Sequence, residues 1–477
     1  MNNKIVNKIL GICCISLIFS ACSIPKFTQK AENMPLPKSY STVTDTSNSA
    51  SIEWDKFFTD PFLKTLIDSA LNNNQELNII LQEISISKNE VRARKGEYLP
   101  FVSIGAGAAV DKVGRYTRNG ALEANTEIAD GEEFPEPFSD LIIGANVSWE
   151  LDVWKKLRNA KKSAVMHYLA SIEGKNFMVT NLVSEMAHAY YELMALDKHL
   201  EIVKQNIAIQ TKALDIVELQ KQAAKTTKLA VKKFEAEVLK NKSLQFYLEQ
   251  EIIETENKIN FLVGRYPQKV ERNAVDFIEL TPNIIYAGTP SQLLENRPDI
   301  KQSELELAAA KLDVKVAKAQ FYPSIGISGG VGLQAYKAKY LIKSPESLMY
   351  SFAGDLMAPL VNRNAIKAAY KSANNKQLQA VYNYQKTVLN AYIEVSNQIS
   401  KIENLDKSYD LKKQQVGALT KSIAISTSLF KSARADYMEV LLTQRDALEA
   451  KMELIETKLQ QMNATITMYQ SLGGGWK

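Results

Sequence analysis

Three cysteines and three histidines are all that this 477-residue chain offers to thiol, zinc or imidazole chemistry. Cys13, Cys14 and Cys22 crowd into the first 22 residues, so the rest of the chain has no thiolate nucleophile, disulfide or cysteine zinc site. His188 and His199 share a helix face, but 11 residues separate them. That spacing is about 16 Å of axial rise, too far for one shared ion. With His167 they read as packing or surface residues. No Gly-x-Ser-x-Gly, His-Glu-x-x-His or Gly-x-x-x-x-Gly-Lys occurs. Lysine and arginine number 58 against 53 acids, a balance without the basic stripe of a nucleic-acid binder. The expectation is no catalytic residue, no metal, no cofactor and no nucleic-acid partner.

One cysteine stands where chemistry is done to it. Lys4 and Lys8 precede an apolar run of 11 residues from Ile9 to Phe19. The run is too short to span a bilayer and suits a secretory signal. It ends in Phe19-Ser20-Ala21-Cys22, which resembles a bacterial lipobox, in which small residues precede a cysteine that is lipidated and becomes the new N-terminus. Residues 1–21 then form a signal peptide and 22–54 a lipidated tail. Ser23, not Asp, follows the cysteine, a choice compatible with export to the outer membrane.

The elements beyond are mostly helical. No proline occurs over the 129 residues from Phe138 to Tyr266 or the 118 from Leu360 to Lys477, stretches far longer than an ordinary helix. Leu441, Leu448, Ile455 and Met462 recur every seven residues, with Met452, Leu459 and Ile466 four places after the last three of them. That is a coiled-coil seam, and the surrounding Glu, Lys, Gln and Arg read as its solvated faces.

The chain also repeats itself. Lys95-Gly-Glu-Tyr-Leu-Pro100 corresponds to Lys318-Ala-Gln-Phe-Tyr-Pro323, Arg158-Asn-Ala160 to Arg363-Asn-Ala365, and Ala189-Tyr190 with Glu192 to Ala391-Tyr392 with Glu394. Three matches in one order imply duplication. The repeats span about 55–264 and 288–477, joined by a linker at 265–287. Each reads as helix, strand, loop, strand, long helix, turn, shorter helix.

Four segments alternate: about 101–110, 141–151, 324–334 and 349–360. Ile143, Ala145, Val147, Trp149 and Leu151 share one face of the second, opposite Gly144, Asn146, Ser148 and Glu150. Tyr350, Phe352, Leu356, Ala358 and Leu360 share one face of the fourth. Strands of about ten residues with one apolar and one small or polar face suit a membrane barrel with a wet lumen. An open sheet has no place in lipid, and barrels need at least eight strands. Four strands per chain therefore require several copies, and three copies give twelve. Helical arms near 155–222 and 364–432 would reach about 100 Å at 1.5 Å per residue. The helices before the strands have the length to stack end-on and complete each shorter return.

Five ordered motifs carry a resemblance. Trp54-Asp-Lys-Phe-Phe-Thr-Asp-Pro61, Ser148-Trp-Glu-Leu-Asp-Val-Trp154, Gly288-Thr-Pro-Ser-Gln-Leu-Leu294, Arg297-Pro-Asp299 and Leu472-Gly-Gly-Gly-Trp476 resemble those of TolC-like outer-membrane efflux proteins, and more narrowly the NodT-type lipoprotein branch. Lys155 departs from that pattern where Gly is common, and Ala433 takes a usual Gly position near a helical turn.

The resemblance implies a homotrimer: a twelve-stranded outer-membrane barrel continuous with a long periplasmic α-helical barrel. Its partners would be outer-membrane lipid, a periplasmic adaptor and an inner-membrane RND-type transporter, and its role the exit duct for drugs or other small toxic compounds. A type I protein-secretion duct uses the same tube. A lipid-anchored periplasmic coiled-coil spacer would explain the heptads but leave the strands without a purpose. In such channels the end remote from the barrel is closed at rest and engages the adaptor. The corresponding turns here are Ala224–Thr227 and Ser432–Asp436, which makes Lys225, Thr226, Arg434 and Asp436 the candidate gate or docking residues. The segment Asp111–Asp140, with eight acids against three bases and no sustained periodicity, reads as a long external loop.

The lipobox reading has a direct check. Mass spectrometry of the mature N-terminal peptide should find diacylglyceryl on Cys22; an unmodified peptide that begins elsewhere contradicts it.

Overall fold

The computed structural model describes residues 24, 25, 30, 32, 35–40, 47–273, 277–432 and 434–477; Cys22 and Ala433 lie outside them. In chain order the main elements are α1 (Pro61–Asn73), α2 (Gln75–Glu97), β1 (Phe101–Asp111), β2 (Phe138–Leu151), α3 (Lys156–Gln222), α4 (Lys228–Val263), α5 (Pro298–Ala319), β3 (Ser324–Ala335), β4 (Leu348–Met357), α6 (Asn364–Lys431) and α7 (Tyr437–Ser471). A short helix, Gln292–Asn296, stands before α5 as α1 stands before α2. The chain is mainly α-helical with a four-stranded β-sheet, and its order of main elements occurs twice.

Two compact units emerge. The first holds residues 85–169 and 305–381. Its sheet is an antiparallel meander in the order β1-β2-β3-β4, with strands from both repeats in one ladder. The fourth strand ends at Met357, so Ala358 and Leu360 do not belong to the expected apolar face; Pro359, with no N–H to donate, closes the ladder. The second strand starts at Phe138, three residues before the expected Leu141, because Phe138 pairs with Asp111 and stacks on Phe134.

The repeat is physical at the base of the sheet. The Arg158 guanidinium lies 5.5 Å from the Tyr98 ring centroid, and Arg363 lies 4.8 Å from that of Phe321. Two of the sequence correspondences are thus one contact made twice. Buried Asp152 accepts the N–H groups of Leu157 and Arg158 and pairs with the Arg158 side chain, capping α3. Just before that helix Lys155 has φ 59°, a left-handed conformation that explains why Gly is common there. Asn362, before α6, has φ 54°.

The second unit holds residues 32–84, 170–304 and 382–477. Its largest core gathers Phe57, Leu63, Ile67, Leu182, Met186, Tyr190, Leu193, Ile259, Phe277, Ile455, Met462 and Tyr469. The polypeptide before α1 is zipped to the linker, with Ser49 N–H donating to Tyr286 O, and to α7, with the Phe57 ring stacked 4.0 Å from that of Tyr469.

Each return helix meets the pre-strand helix of its own repeat end-on. The amide of Asn74 donates to Leu262 O near the end of α4, while its carbonyl oxygen accepts Leu77 N–H at the start of α2. Arg297, in the same place in the second repeat, donates to Ser471 O at the end of α7. Its remaining donors hold Asp299 in a two-point pair (3.0 and 2.7 Å) and Glu394 at 2.6 Å. The third sequence correspondence enters here: Ala189 and Ala391 are both fully buried, and Glu394 supplies the carboxylate.

The coiled-coil reading of α7 needs a correction. Leu441, Ile455, Met462 and Ile466 are buried as expected, but so are Gln444, Lys458 and Gln461, which the heptad assigns to solvent. Helix α7 is covered on more than one side. Gln461 donates to Asp406 at 2.7 Å, and the Lys458 ammonium sits 4.8 Å from the Tyr409 ring, where burial holds its pKa below the ordinary lysine value. His188 packs against the same helix through Asn463 (2.7 Å) and Thr467, and burial pushes its imidazole toward the neutral form.

The two joints predict unequal losses. Truncating Arg297 to Ala leaves Asp299 without its buried partner and should cost about 3 kcal/mol. Asn74→Ala removes a neutral cap and should cost about 1–2 kcal/mol. Thermal unfolding in detergent measures both; equal and negligible losses would contradict the joint.

Candidate functional site

Alternation divides the sheet into two chemically distinct faces. Cross-strand partners share a face, so the registers carry one pattern across all four strands. Val102, Ile104 and Val110 of β1 lie with Leu141, Ile143, Val147 and Trp149 of β2. Beside them lie Ile325, Ile327, Val331 and Leu333 of β3, then Leu348, Tyr350, Phe352 and Leu356 of β4. This face carries no charged side chain. It is also open: Ile104 is 83% exposed and Phe352 80%. An apolar patch spread over four strands is far more than a water-facing surface tolerates.

The opposite face is small and polar. It presents Ser103, Asn146, Ser148, Ser328, Gln334 and Ser351, with four carboxylates, Asp111, Asp140, Glu150 and Asp355, and no lysine or arginine. Glu150 pairs with Lys156 at 2.5 Å, and Asp140 accepts from Gln334 at 2.9 Å. Gly144 and Gly332 face each other here. A Cβ on Gly144 would lie 2.9 Å from Val331 O, so this crossing is closed to any side chain. Among the described residues no group of three or more His, Cys, Asp or Glu side chains is placed to hold a metal ion.

β1 and β4 are the edges of the sheet, each paired on one side only. An apolar sheet with two free edges and a polar reverse side is an arc of something larger. A sequence model described as Outer membrane efflux protein matches residues 66–265 and again 289–474. The chain belongs to the outer membrane efflux protein family.

The chain is 25% identical over 470 residues to the cation efflux system protein CusC of Escherichia coli O6:H1, covering 97% of this chain and 98% of CusC. It is 26% identical over 465 residues to the pyoverdine export outer membrane protein OpmQ of Pseudomonas putida, covering 97% and 96%. The open-state structure of the MtrE outer membrane channel of Neisseria gonorrhoeae shares its fold, with a TM-score of 0.82, 22% identity, and 95% and 98% coverage. The protein is an outer-membrane channel homologous to the exit ducts of efflux pumps.

Lys225, Thr226, Arg434 and Asp436, the residues expected at the gate or dock, fall at two helical turns of the second unit. Helix α3 ends in a left-handed cap: Ala224 has φ 55°, Lys225 N–H donates to Gln220 O at 2.8 Å, and Ala224 N–H to Lys221 O at 3.0 Å. Arg434 N–H donates to Leu429 O at 2.8 Å, the same bond at the end of α6. Thr227 caps α4 by accepting Ala230 N–H, whereas Asp436, at the start of α7, makes no side-chain cap bond. Thr226 is half-buried; Lys225, Arg434 and Asp436 are exposed, and the latter two make no ion pair among the described residues. The two turns are fastened just behind by Val217, Ala230, Val231 and Phe234 of the first hairpin with Tyr437 and Leu441 of the second.

Sequence reasoning found the turns but missed that clamp, and it found the loop after β1 but missed the structure inside it. That loop contains a helix, Arg118–Glu123, capped by Thr117, and a ladder of Glu127–Ala129 with Glu132–Glu133. A six-residue helix and a two-residue strand are too short to leave a readable period, so the segment passes for unstructured. Glu132 within it is paired with residues some 200 positions away.

The clamp is testable. Phe234 is 1% exposed, and its truncation to Ala should cost about 3 kcal/mol or more. Limited proteolysis should then cut first between residues 222 and 228 or 431 and 437; an unchanged cleavage pattern would mean the turns hold without it.

Proposed function

We propose that the protein is the outer-membrane exit duct of a tripartite efflux pump, working as a homotrimer with no catalytic step of its own. One observation carries this reading: a four-stranded sheet with one uncharged apolar face, one small polar face and two free edges. Backbone groups at those edges need partners in hydrocarbon, where unsatisfied N–H and C=O groups cost several kcal/mol each. Strands alternate in direction along the meander, so β4 runs opposite to β1. A neighbouring copy can therefore add its β1 to this β4 in the same antiparallel sense, and three copies close a twelve-stranded barrel. The apolar face then meets lipid, and the polar face lines a wet lumen.

The same reading organises the chain. Residues 1–21 are the signal peptide and 22–54 the tail anchored through lipidated Cys22, as in the NodT-type lipoprotein branch. Residues 55–264 and 288–477 are the two efflux repeats, joined by the 265–287 linker. The hairpins α3–α4 and α6–α7 cross the periplasm toward an adaptor and an inner-membrane RND-type transporter. Lys225, Thr226, Arg434 and Asp436 form the gate or docking end. Threefold repetition would bring three Asp436 carboxylates around one axis, where exposed charges without partners are available to a closed gate or to an adaptor. The transported compounds are drugs or other small toxic solutes; CusC is named for cation efflux and OpmQ for pyoverdine export.

Conductance in planar bilayers tests the reading. The trimer should conduct, and Asp436→Ala or Arg434→Ala should raise conductance or alter drug susceptibility of cells. Unchanged values for both variants in both assays remove these residues from the gate and the dock. No conductance from any variant contradicts the channel itself.

A further inference from the structure

The loop between β1 and β2 is tied down in a way that the duct does not require. Phe138, Asp140 and Gln334 lie on the polar face of the sheet, and Tyr336 continues that register beyond the end of β3. Rings stack from there into the loop: Phe134 on Phe138 at 5.0 Å, Phe138 on Tyr336 at 6.5 Å, and Tyr336 against Tyr340 at 5.2 Å. The loop thus folds back over the lumen side of the strands.

A single carboxylate fastens it. Glu132 accepts the hydroxyl of Tyr336 and, at 3.3 Å, that of Tyr340. It also pairs with Lys337 at 3.3 Å and Lys339 at 3.9 Å. The lysines are held in turn by the rings, Lys337 over Tyr336 at 5.2 Å and Lys339 over Tyr340 at 4.5 Å. Every one of these partners belongs to the β3–β4 loop. The rest of the β1–β2 loop is ordered within itself: Arg115 pairs with Glu136 at 3.2 Å, and Gly131 N–H donates to Glu127. Among the described residues, the side-chain hydrogen bonds and ion pairs from this segment to the β3–β4 loop all run through Glu132.

We propose that residues 112–137 form a lid over the outer mouth of the channel, latched closed by Glu132. This rests on the reading of the sheet as one arc of a barrel whose β1–β2 loop faces outward. Three copies would place three lids around one lumen. The latched state admits small solutes and excludes large ones from outside; release of Glu132 lets the lid swing clear.

A lumen-facing thiol reports on the mouth directly. Ser328 is an exposed residue of the polar face, and Ser328→Cys can be labelled on intact cells with a small membrane-impermeant maleimide or a polyethylene-glycol maleimide, with the chain lacking that substitution as background. The small reagent should label the latched protein and its Glu132→Ala variant at the same rate. The large reagent should label the latched protein slowly and Glu132→Ala about tenfold faster, the shift expected when one state loses its stabilising contacts. Tyr336→Phe, which removes only a hydroxyl, should fall between them. Equal rates with the large reagent in all three proteins overturn the lid. Failure of even the small reagent to reach Ser328→Cys in any of them overturns the outward-facing barrel and the lid with it.

Discussion

In hydrocarbon a backbone N–H has no water to turn to, and in water a bare sheet of Ile, Val, Phe and Leu has no reason to stay apart. The sheet of this protein meets both problems at once. Its apolar face runs uncharged across β1, β2, β3 and β4, and its two edge strands keep one side unpaired. The unpaired edges are costly in hydrocarbon and the apolar face is costly in water, and one arrangement would relieve both, closure with further copies in a membrane. Strand direction, glycine on the polar face and the absence of charge from the apolar face all answer to that requirement.

Duplication explains how one chain supplies such an arc. Each repeat contributes a hairpin of strands, and β2 and β3, from different repeats, pair with each other as closely as the strands within a repeat. The base of each hairpin is fixed by an arginine over an aromatic ring, Arg158 over Tyr98 and Arg363 over Phe321. Each helical return is completed by a side chain that reaches the carbonyl end of another helix, Asn74 in one repeat and Arg297 in the other. The chemistry at that joint has diverged from a neutral amide to a guanidinium with two carboxylate partners, while the position has not.

Much of this is legible in the sequence. Proline-free stretches marked α3 and α6, period-two alternation marked the strand faces, and ordered repeats marked the two halves. What local pattern could not carry was long-range or short. Asn74 and Leu262 are 188 residues apart, and nothing near Asn74 announces its partner. The burial of Gln444, Lys458 and Gln461 follows from α7 being covered on several sides, which a heptad drawn for a single seam does not anticipate. The latch on Glu132 joins two loops that share no periodicity at all. Pro359, in contrast, was visible in the sequence, and its missing N–H was reason enough to stop the last strand short of Leu360.

The central claim is that the sheet is an arc that closes only with other copies of this chain. Native mass spectrometry of the protein extracted in mild detergent tests it most directly. The account predicts a complex of three chains whose strands and helices persist together on mild heating. A stable single chain that keeps its β-sheet in detergent would contradict it.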